Sequence, residues 1–330
     1  MELYKPSVEI WEQNNNLDTI MDSIWSHIAR CVRVCYQSET KKNPSETDEM
    51  FVKRVILSNK PENSEKNHLA MLEHGTVYLY DTSWSISDLE KYKHNIYSKY
   101  KSVHIESETI EDGNDVYTDH KYAHYVTTNM RVLVENGWLN DLKYICIPTE
   151  YHVRRITVCF RTNIGVSREF NRHRVNSIAE ESTRYCNYTK DKFNNSLKFT
   201  LPTWLLEEYN LSYIETHQFD NLSGYCEEYL NDNSDINPEC WCDTDFYLFA
   251  LTVSEYCYKM LIKKGWSAQK AREVLPLATK TQLIHTAFVD DWKHFFNLRY
   301  KGVSGAPHPN AKILAKELYE QFVKLNYITE

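Results

Sequence analysis

An α+β fold is predicted by two patterns that take turns along the chain and by the lack of any linker between them. Apolar residues recur at helical spacing in Leu17–Cys35, Phe246–Ile262, Thr281–Arg299 and the stretch after Asn310. Short alternating runs at Thr76–Tyr80 and Tyr151–Arg161 read as strands. The 330 residues hold only 8 glycines and no Pro/Gly/Ser-rich joint. One domain over residues 1–330 is therefore expected, with insertions at about 85–150 and 203–246.

In chain order, Ile20, Ile24, Ile28, Val32 and Cys35 form the apolar stripe of a first helix, capped near Asn16 or Asp18. Met50–Leu57 is a short helix between polar loops. His68–His74 precedes Gly75 and the Thr76 strand. Residues 85–150 carry a Lys/Tyr-rich piece, Lys91–Lys101, and an acidic piece, Glu106–Asp115, both expected to be exposed. Thr127–Val134 reads as a helix ending at Asn136-Gly137. Ile156, Val158 and Phe160 share one face of the next strand. Leu205–Asp245 is acid-rich, which suits a solvated insert or lid. Phe246–Ile262 is a helix whose apolar face Glu255 interrupts. Ser267 caps Ala268–Leu275, and Pro276 ends it. Thr281–Arg299 reads as one helix with an aromatic stripe, Phe288, Trp292, Phe295 and Phe296, ending in Arg299. Asn310 caps a last helix, with Ile313, Leu314, Leu318, Phe322 and Leu325 toward the core.

Chemistry concentrates in Val166–Tyr185, which holds Arg168, Arg172, His173, Arg174 and Arg184 in a chain of net charge −8. Helical spacing pairs Val166 with Phe170, Arg168 with Arg172, and Glu169 with His173. Beyond Arg174 the pattern fades into Ser177, Glu180, Ser182 and Arg184, a loop or short extended segment. A solvated basic helix end is the plain reading. Forked donors among Glu and Ser also suit a site that binds an anion and reads neutral edges.

Arg172-His173-Arg174, seven residues, then Ser182-Thr183-Arg184-Tyr185 resembles the RHR-x7-S and S-x-R-Y signature of the flavin-dependent thymidylate synthases. Ala271-Arg-Glu-Val-Leu-Pro-Leu277 resembles that family's AR-x-VLPL segment. Phe295-Phe-Asn-Leu-Arg299 followed by His308 resembles its F-L-N-L-R then H, and His68–His74 its H-x4-E-H step. The resemblance implies a twisted antiparallel sheet flanked by helices and a homotetramer with shared active sites. It implies dUMP held by Arg168, Glu169, Glu180, Ser182, Arg184, Arg272 and Arg299. It implies FAD and folate held by His68, Glu73, Arg172, His173, Arg174, Glu180, His294 and His308, with Arg33 nearby. NADPH and methylene-tetrahydrofolate would be co-substrates. The chain departs from the family at Ala179, Phe288, Asp290 and His294, where Asn or Arg usually meets FAD.

The reaction implied is reductive methylation of dUMP at C5. Arg299 would stabilise charge developing on the pyrimidine, with Arg184 and Arg272 on the phosphate. Ser182 reads as a hydrogen-bond partner or as a nucleophile; no Ser-His-Asp set accompanies it. Arg299 alternatively caps its helix. A second function within reach is C5 methylation or hydroxymethylation of another pyrimidine nucleotide. A third, of another class, is a non-catalytic nucleotide- or RNA-binding protein.

The acidic balance disfavours broad nucleic-acid binding, which needs a basic face. No apolar run reaches the ~20 residues of a membrane span. Nine cysteines, an odd number with no apolar leader, suggest reduced thiols in a cytoplasmic setting. Cys240 and Cys242 lack a second pair at zinc spacing, so no metal is expected.

Overall fold

A computed structural model describes residues 1–39, 42–56, 69–84, 86–112, 115–208 and 241–329. His68 and most of the acid-rich insert lie outside the described residues. The chain runs β1 (Glu2–Tyr4), β2 (Ser7–Trp11), α1 (Ile20–Tyr36), α2 (Asp48–Ile56), β3 (Thr76–Ser83), β4 (Lys99–Asp112), β5 (Asp115–Asn129) and α3 (Met130–Glu135). It continues with β6 (Arg155–Asn163), α4 (Ile164–Phe170), β7 (Ser177–Glu180), β8 (Lys198–Thr200) and α5 (Thr203–Glu208). Then come α6 (Asp243–Lys263), α7 (Ala268–Ala271), β9 (Lys280–Phe288), α8 (Val289–Phe296) and α9 (Pro309–Lys324).

The central sheet has the order β2-β6-β9-β7, antiparallel throughout. Its inner strands alternate as the pleat requires. Val158, Phe160, Leu283 and Ala287 face α4, α8 and α9, in a core with Phe170, Trp292, Phe295 and Phe322. Cys159 and Ile284 face α1, beside Cys31 and Val34. Both faces are thus covered. Truncating a core aromatic such as Trp292 or Phe160 to Ala costs about 3–5 kcal/mol.

Covering both faces explains the main difference from the sequence reading. Thr281–Arg299 is not one helix. Its first half is strand β9, hydrogen-bonded to β6 on one side and β7 on the other, and only Val289–Phe296 is α-helical. β9 is buried from Thr281 to Phe288, yet Thr281, Gln282, His285 and Thr286 are polar, so neither strict alternation nor a continuous apolar run marks it as a strand.

Residues 85–150 are likewise not only exposed excursions. β4 and β5 form a long hairpin in a three-stranded sheet, β3-β5-β4. The region contributes Leu89, Tyr92, Val126, Met130 and Leu133 to a core shared with Ile24, Ile28 and Val32 of α1. The helix expected at Thr127–Val134 begins only at Met130, where Asn129 Oδ1 accepts from Val132 N at 3.2 Å. Gly75 lets this layer approach α1, since a Cβ there would stand 2.5 Å from Ile28 Cδ1.

Glu255 interrupts the α6 stripe because it is a buried acceptor. It takes Leu197 N at 2.9 Å, Lys259 Nζ at 3.0 Å and the Met1 amine at 2.9 Å. The helix after Ser267 is a single turn, Ala268–Ala271, followed by a 3-10 turn at Arg272–Val274. At α9 the cap is His308, whose Nδ1 accepts from Asn310 N at 3.2 Å. Asn310 is buried and accepts from Thr203 N at 2.8 Å instead. Ile313 and Leu325 are each 44% exposed and do not face the core.

Candidate active site

Strand β6 delivers the basic stretch. Asn163 Oδ1 accepts from Val166 N at 2.9 Å and starts α4. The helix stops at Phe170, so Arg172, His173 and Arg174 lie in the turns that follow, and β7 is the extended segment beyond. Arg168, Arg172 and Arg174 are exposed, whereas His173 is buried.

His173 joins Glu169 in holding Arg299, which sits in a π-helical turn, Asn297–Lys301, directly after α8. Arg299 Nε donates to His173 Nε2 at 3.1 Å. One terminal nitrogen donates to Glu169 Oε2 at 2.6 Å and the other to the Glu169 carbonyl at 2.6 Å. A guanidinium only donates, so His173 must accept at Nε2 and be neutral there. Burial lowers its pKa to about 4, and the Arg299 and His294 charges act in the same direction. The His294 ring lies 5.9 Å from it and the Phe295 ring 4.9 Å. Three of Arg299's five N–H donors are thus used within the chain, which leaves two for a ligand.

A second group forms where β7 ends. Ser182 N donates to Cys35 O at 3.0 Å, at the C-terminal end of α1. Arg184 Nε donates to Gln269 Oε1 of α7 at 2.8 Å, and an Arg272 terminal nitrogen reaches Thr183 Oγ1 at 3.5 Å. The Tyr185 ring lies 5.6 Å from Tyr36. Beneath them Glu181 is buried, accepting from Lys280 Nζ at 2.8 Å and Tyr188 OH at 3.2 Å. Glu180 bridges toward the first group, accepting from Asn171 Nδ2 at 3.1 Å and Thr281 Oγ1 at 3.0 Å.

Other sequence candidates make contacts outside these two groups. Glu73 pairs with Arg131. His308 is exposed, with its ring 6.2 Å from Trp204. Arg33 is buried against Phe51, 3.8 Å from the ring centre, and pairs with Asp48 at 3.2 Å, a structural role. His74 is fully buried and meets Thr286 Oγ1 at 2.8 Å. Its pKa is pushed well down by burial first, then by His27 and Arg155.

Sequence reasoning misses three features. Arg155 is a buried guanidinium on the first residue of β6. A polar chain, His27–Thr157–Thr286–His74, crosses the sheet with links of 2.9, 2.7 and 2.8 Å. Lys280 and Glu181 form an ion pair with side-chain exposures of 11% and 3%. Arg155 and Lys280 sit at strand starts, where a basic residue ordinarily signals solvent.

The exposed guanidinium groups fit an anionic, phosphate-bearing cofactor by their chemistry. The fit weakens at α8. Phe288 is buried under the Arg155 guanidinium, 5.5 Å from the ring centre, and Asp290 offers a carboxylate paired with Lys293 at 3.1 Å. Among the described residues no group of three His, Cys, Asp or Glu stands together to hold a metal ion. No helix among them is long and apolar enough to cross a membrane.

Residues 149–325, more than half of the chain, match the family described as thymidylate synthase complementing protein. The chain belongs to that family. Its matched part takes in β6, the central basic stretch, the Ser182 turn, Arg272 and Arg299. Two solved structures resemble it weakly. One is a UMP/dUMP methylase, PolB, from Streptomyces cacaoi bound with 5-Br dUMP: 22% identity, TM-score 0.34, covering 52% of this chain and 66% of that one. The other is the same enzyme with 5-Br UMP: 21% identity, TM-score 0.34, covering 59% and 76%. The chain thus spans slightly less than two thirds of the first structure's length. No curated protein sequence matches it.

Proposed function

We propose that this chain is a flavin-dependent thymidylate synthase, converting dUMP to dTMP with methylene-tetrahydrofolate and NADPH. The observation that carries this reading is the assembly of Ser182, Thr183 and Arg184 with Arg272, about ninety residues further on, around one turn. Arg184 and Arg272 are the phosphate ligands, and Ser182 bonds the nucleotide. Arg299 presents its two remaining N–H donors to the pyrimidine, where negative charge grows as C5 gains its carbon. Arg168 and Glu169 border that site, and Glu180 lies between nucleotide and cofactor. Reduced FAD, when bound, supplies the hydride that completes the methyl group. Arg172 and Arg174 bind its anionic part, and the neutral His173 holds Arg299 in place.

A thiolate route to C5 activation has little support. Cys35, whose carbonyl anchors Ser182, has its thiol pKa pushed up to about 11 by burial, and attack needs the thiolate. Arg168, Arg172 and Arg174 lie open on a single chain. We take them to be completed by neighbouring subunits of a homotetramer, each a single domain working in the cytoplasm. The deciding experiment incubates purified protein with dUMP, methylene-tetrahydrofolate and NADPH and identifies the product by mass. A dTMP product made by copurified flavin supports the reading. A modified UMP or a hydroxymethyl product would move it to another pyrimidine or oxidation level. Colourless protein that binds RNA and leaves dUMP unchanged would overturn it.

A further inference from the structure

A cavity of about 180 Å³ lies between the start of β6, the chain after β2 and the C-terminal segment. Arg155 lines it. Its guanidinium is buried and donates to three neutral oxygens: the Glu73 carbonyl at 2.8 Å, Thr76 Oγ1 at 3.4 Å and Ser177 Oγ at 3.0 Å. Among the described residues no carboxylate comes within 4.0 Å of it, and its Nε has no hydrogen-bond partner. A buried charge held only by neutral groups is costly, and an anion is the partner that removes the cost. Burial lowers the Arg155 pKa to about 10, only partly offset by Tyr78 and by the Glu73 and Asp291 carboxylates. Asn15 supplies the complementary signal from the same wall. Its Oδ1 is buried with no partner and calls for a donor. Tyr78 and Tyr327 add flat surfaces.

We propose that this cavity binds a small carboxylate that also carries a hydroxyl or amino donor. The carboxylate would meet Arg155, and the donor would meet Asn15. Size and charge narrow the class. The volume resembles a ~150 Å³ cavity that takes up benzene, so the body is about one ring in size. Arg154 and Arg155 against Glu12 give the lining a net charge of one positive unit, which matches a monoanion better than a doubly charged phosphate. Water alone would fill the space without pairing the guanidinium, whose acidic neighbours Glu73 and Asp291 lie beyond ion-pair distance.

The test titrates the full chain with 4-hydroxybenzoate, benzoate and inorganic phosphate at matched ionic strength, read by calorimetry. Saturable one-to-one binding of hydroxybenzoate, tighter than benzoate and phosphate, is expected. Arg155→Gln should weaken it at least tenfold. Because Arg155 also ties three segments together, Asn15→Ala is the second variant. It should bring hydroxybenzoate down to the affinity of benzoate and leave benzoate unchanged. No saturable heat from either benzoate overturns the proposal. So does a folded Arg155→Gln that binds as the parent does, or phosphate binding most tightly.

Discussion

Arg299 is joined to Glu169 twice, through the carboxylate and the backbone carbonyl, each at 2.6 Å. The two residues come from different helical segments, α4 and the π-helical turn after α8. The fork pins the end of the basic stretch to the end of the aromatic core. Glu169 therefore sets where Arg299 points. Glu169→Gln keeps an acceptor but removes the charge, so it should lower turnover less than Arg299→Ala does. Parallel kcat and KM measurements on the two variants check this. Equal losses in both would show that Glu169 itself meets the substrate.

The Glu181–Lys280 pair supports the Ser182 turn from below. Removing one member of a buried pair leaves an uncompensated charge and costs about 3–5 kcal/mol. Glu181→Ala should lose that much, and Glu181→Leu combined with Lys280→Met much less. Urea unfolding of the single and double variants gives the comparison. Equal destabilisation by both would mean that the pair contributes through geometry rather than charge.

Buried imidazoles set the acid limit. Burial lowers His27 to about 4, with Arg30 and Arg155 adding to it, and lowers His285 to about 3, with His173 adding to it. Both folded values lie below the ordinary 6.5. The unfolded chain therefore binds protons that the folded chain refuses. Stability is full above pH 6.5 and falls as pH drops from there toward 4 and 3. Each such histidine contributes on the order of a few kcal/mol across its window. The urea midpoint should fall between about pH 7 and pH 5, before most carboxylates titrate. His285→Gln should flatten that slope, and a parent midpoint constant over the range would contradict neutral burial.

Legibility in the sequence follows from how local the cause is. The Arg172–Tyr185 motif is readable because its residues lie within one short segment, and their order is retained in space. α1 is readable because one face is covered and the other is not, which leaves a 3.6-residue rhythm. β9 is not, because the strands that pair with its edges, β6 and β7, and most of the helices that cover its two faces arrive from elsewhere in the chain. Arg155 is unreadable for a related reason. What buries it comes from β3, β7 and the turn at Glu73, and nothing in its neighbours announces that. The Arg299–Glu169 fork has the same origin, since the segments that meet there are 130 residues apart.

Flavin retention tests the exposed half of the site. Arg174 is exposed in the turn after α4 and makes no part of the core. Arg174→Ala should leave the fold intact by circular dichroism and lower the copurified flavin. Full flavin occupancy in this variant would remove Arg174 from the cofactor site.

Ser182 and Arg299 should respond differently, and the contrast decides how the pyrimidine is activated. Ser182 is anchored by its backbone N–H on Cys35 O, so Ser182→Ala should fold normally. If the hydroxyl only bonds the nucleotide, its loss costs roughly 0.5–1.5 kcal/mol net and appears as a raised KM with turnover retained. Arg299 acts on charge that exists only as the bond forms, so Arg299→Ala should lower the rate of the chemical step by about 10²–10³. Arg299→Lys should recover little. A single ammonium cannot hold Glu169 and His173 and still reach a ligand, as the fork does. Single-turnover assays with saturating dUMP and pre-reduced flavin isolate that step. A dead Ser182→Ala, together with a nucleotide trapped on Ser182 in the parent protein, would replace electrostatic activation with a covalent one.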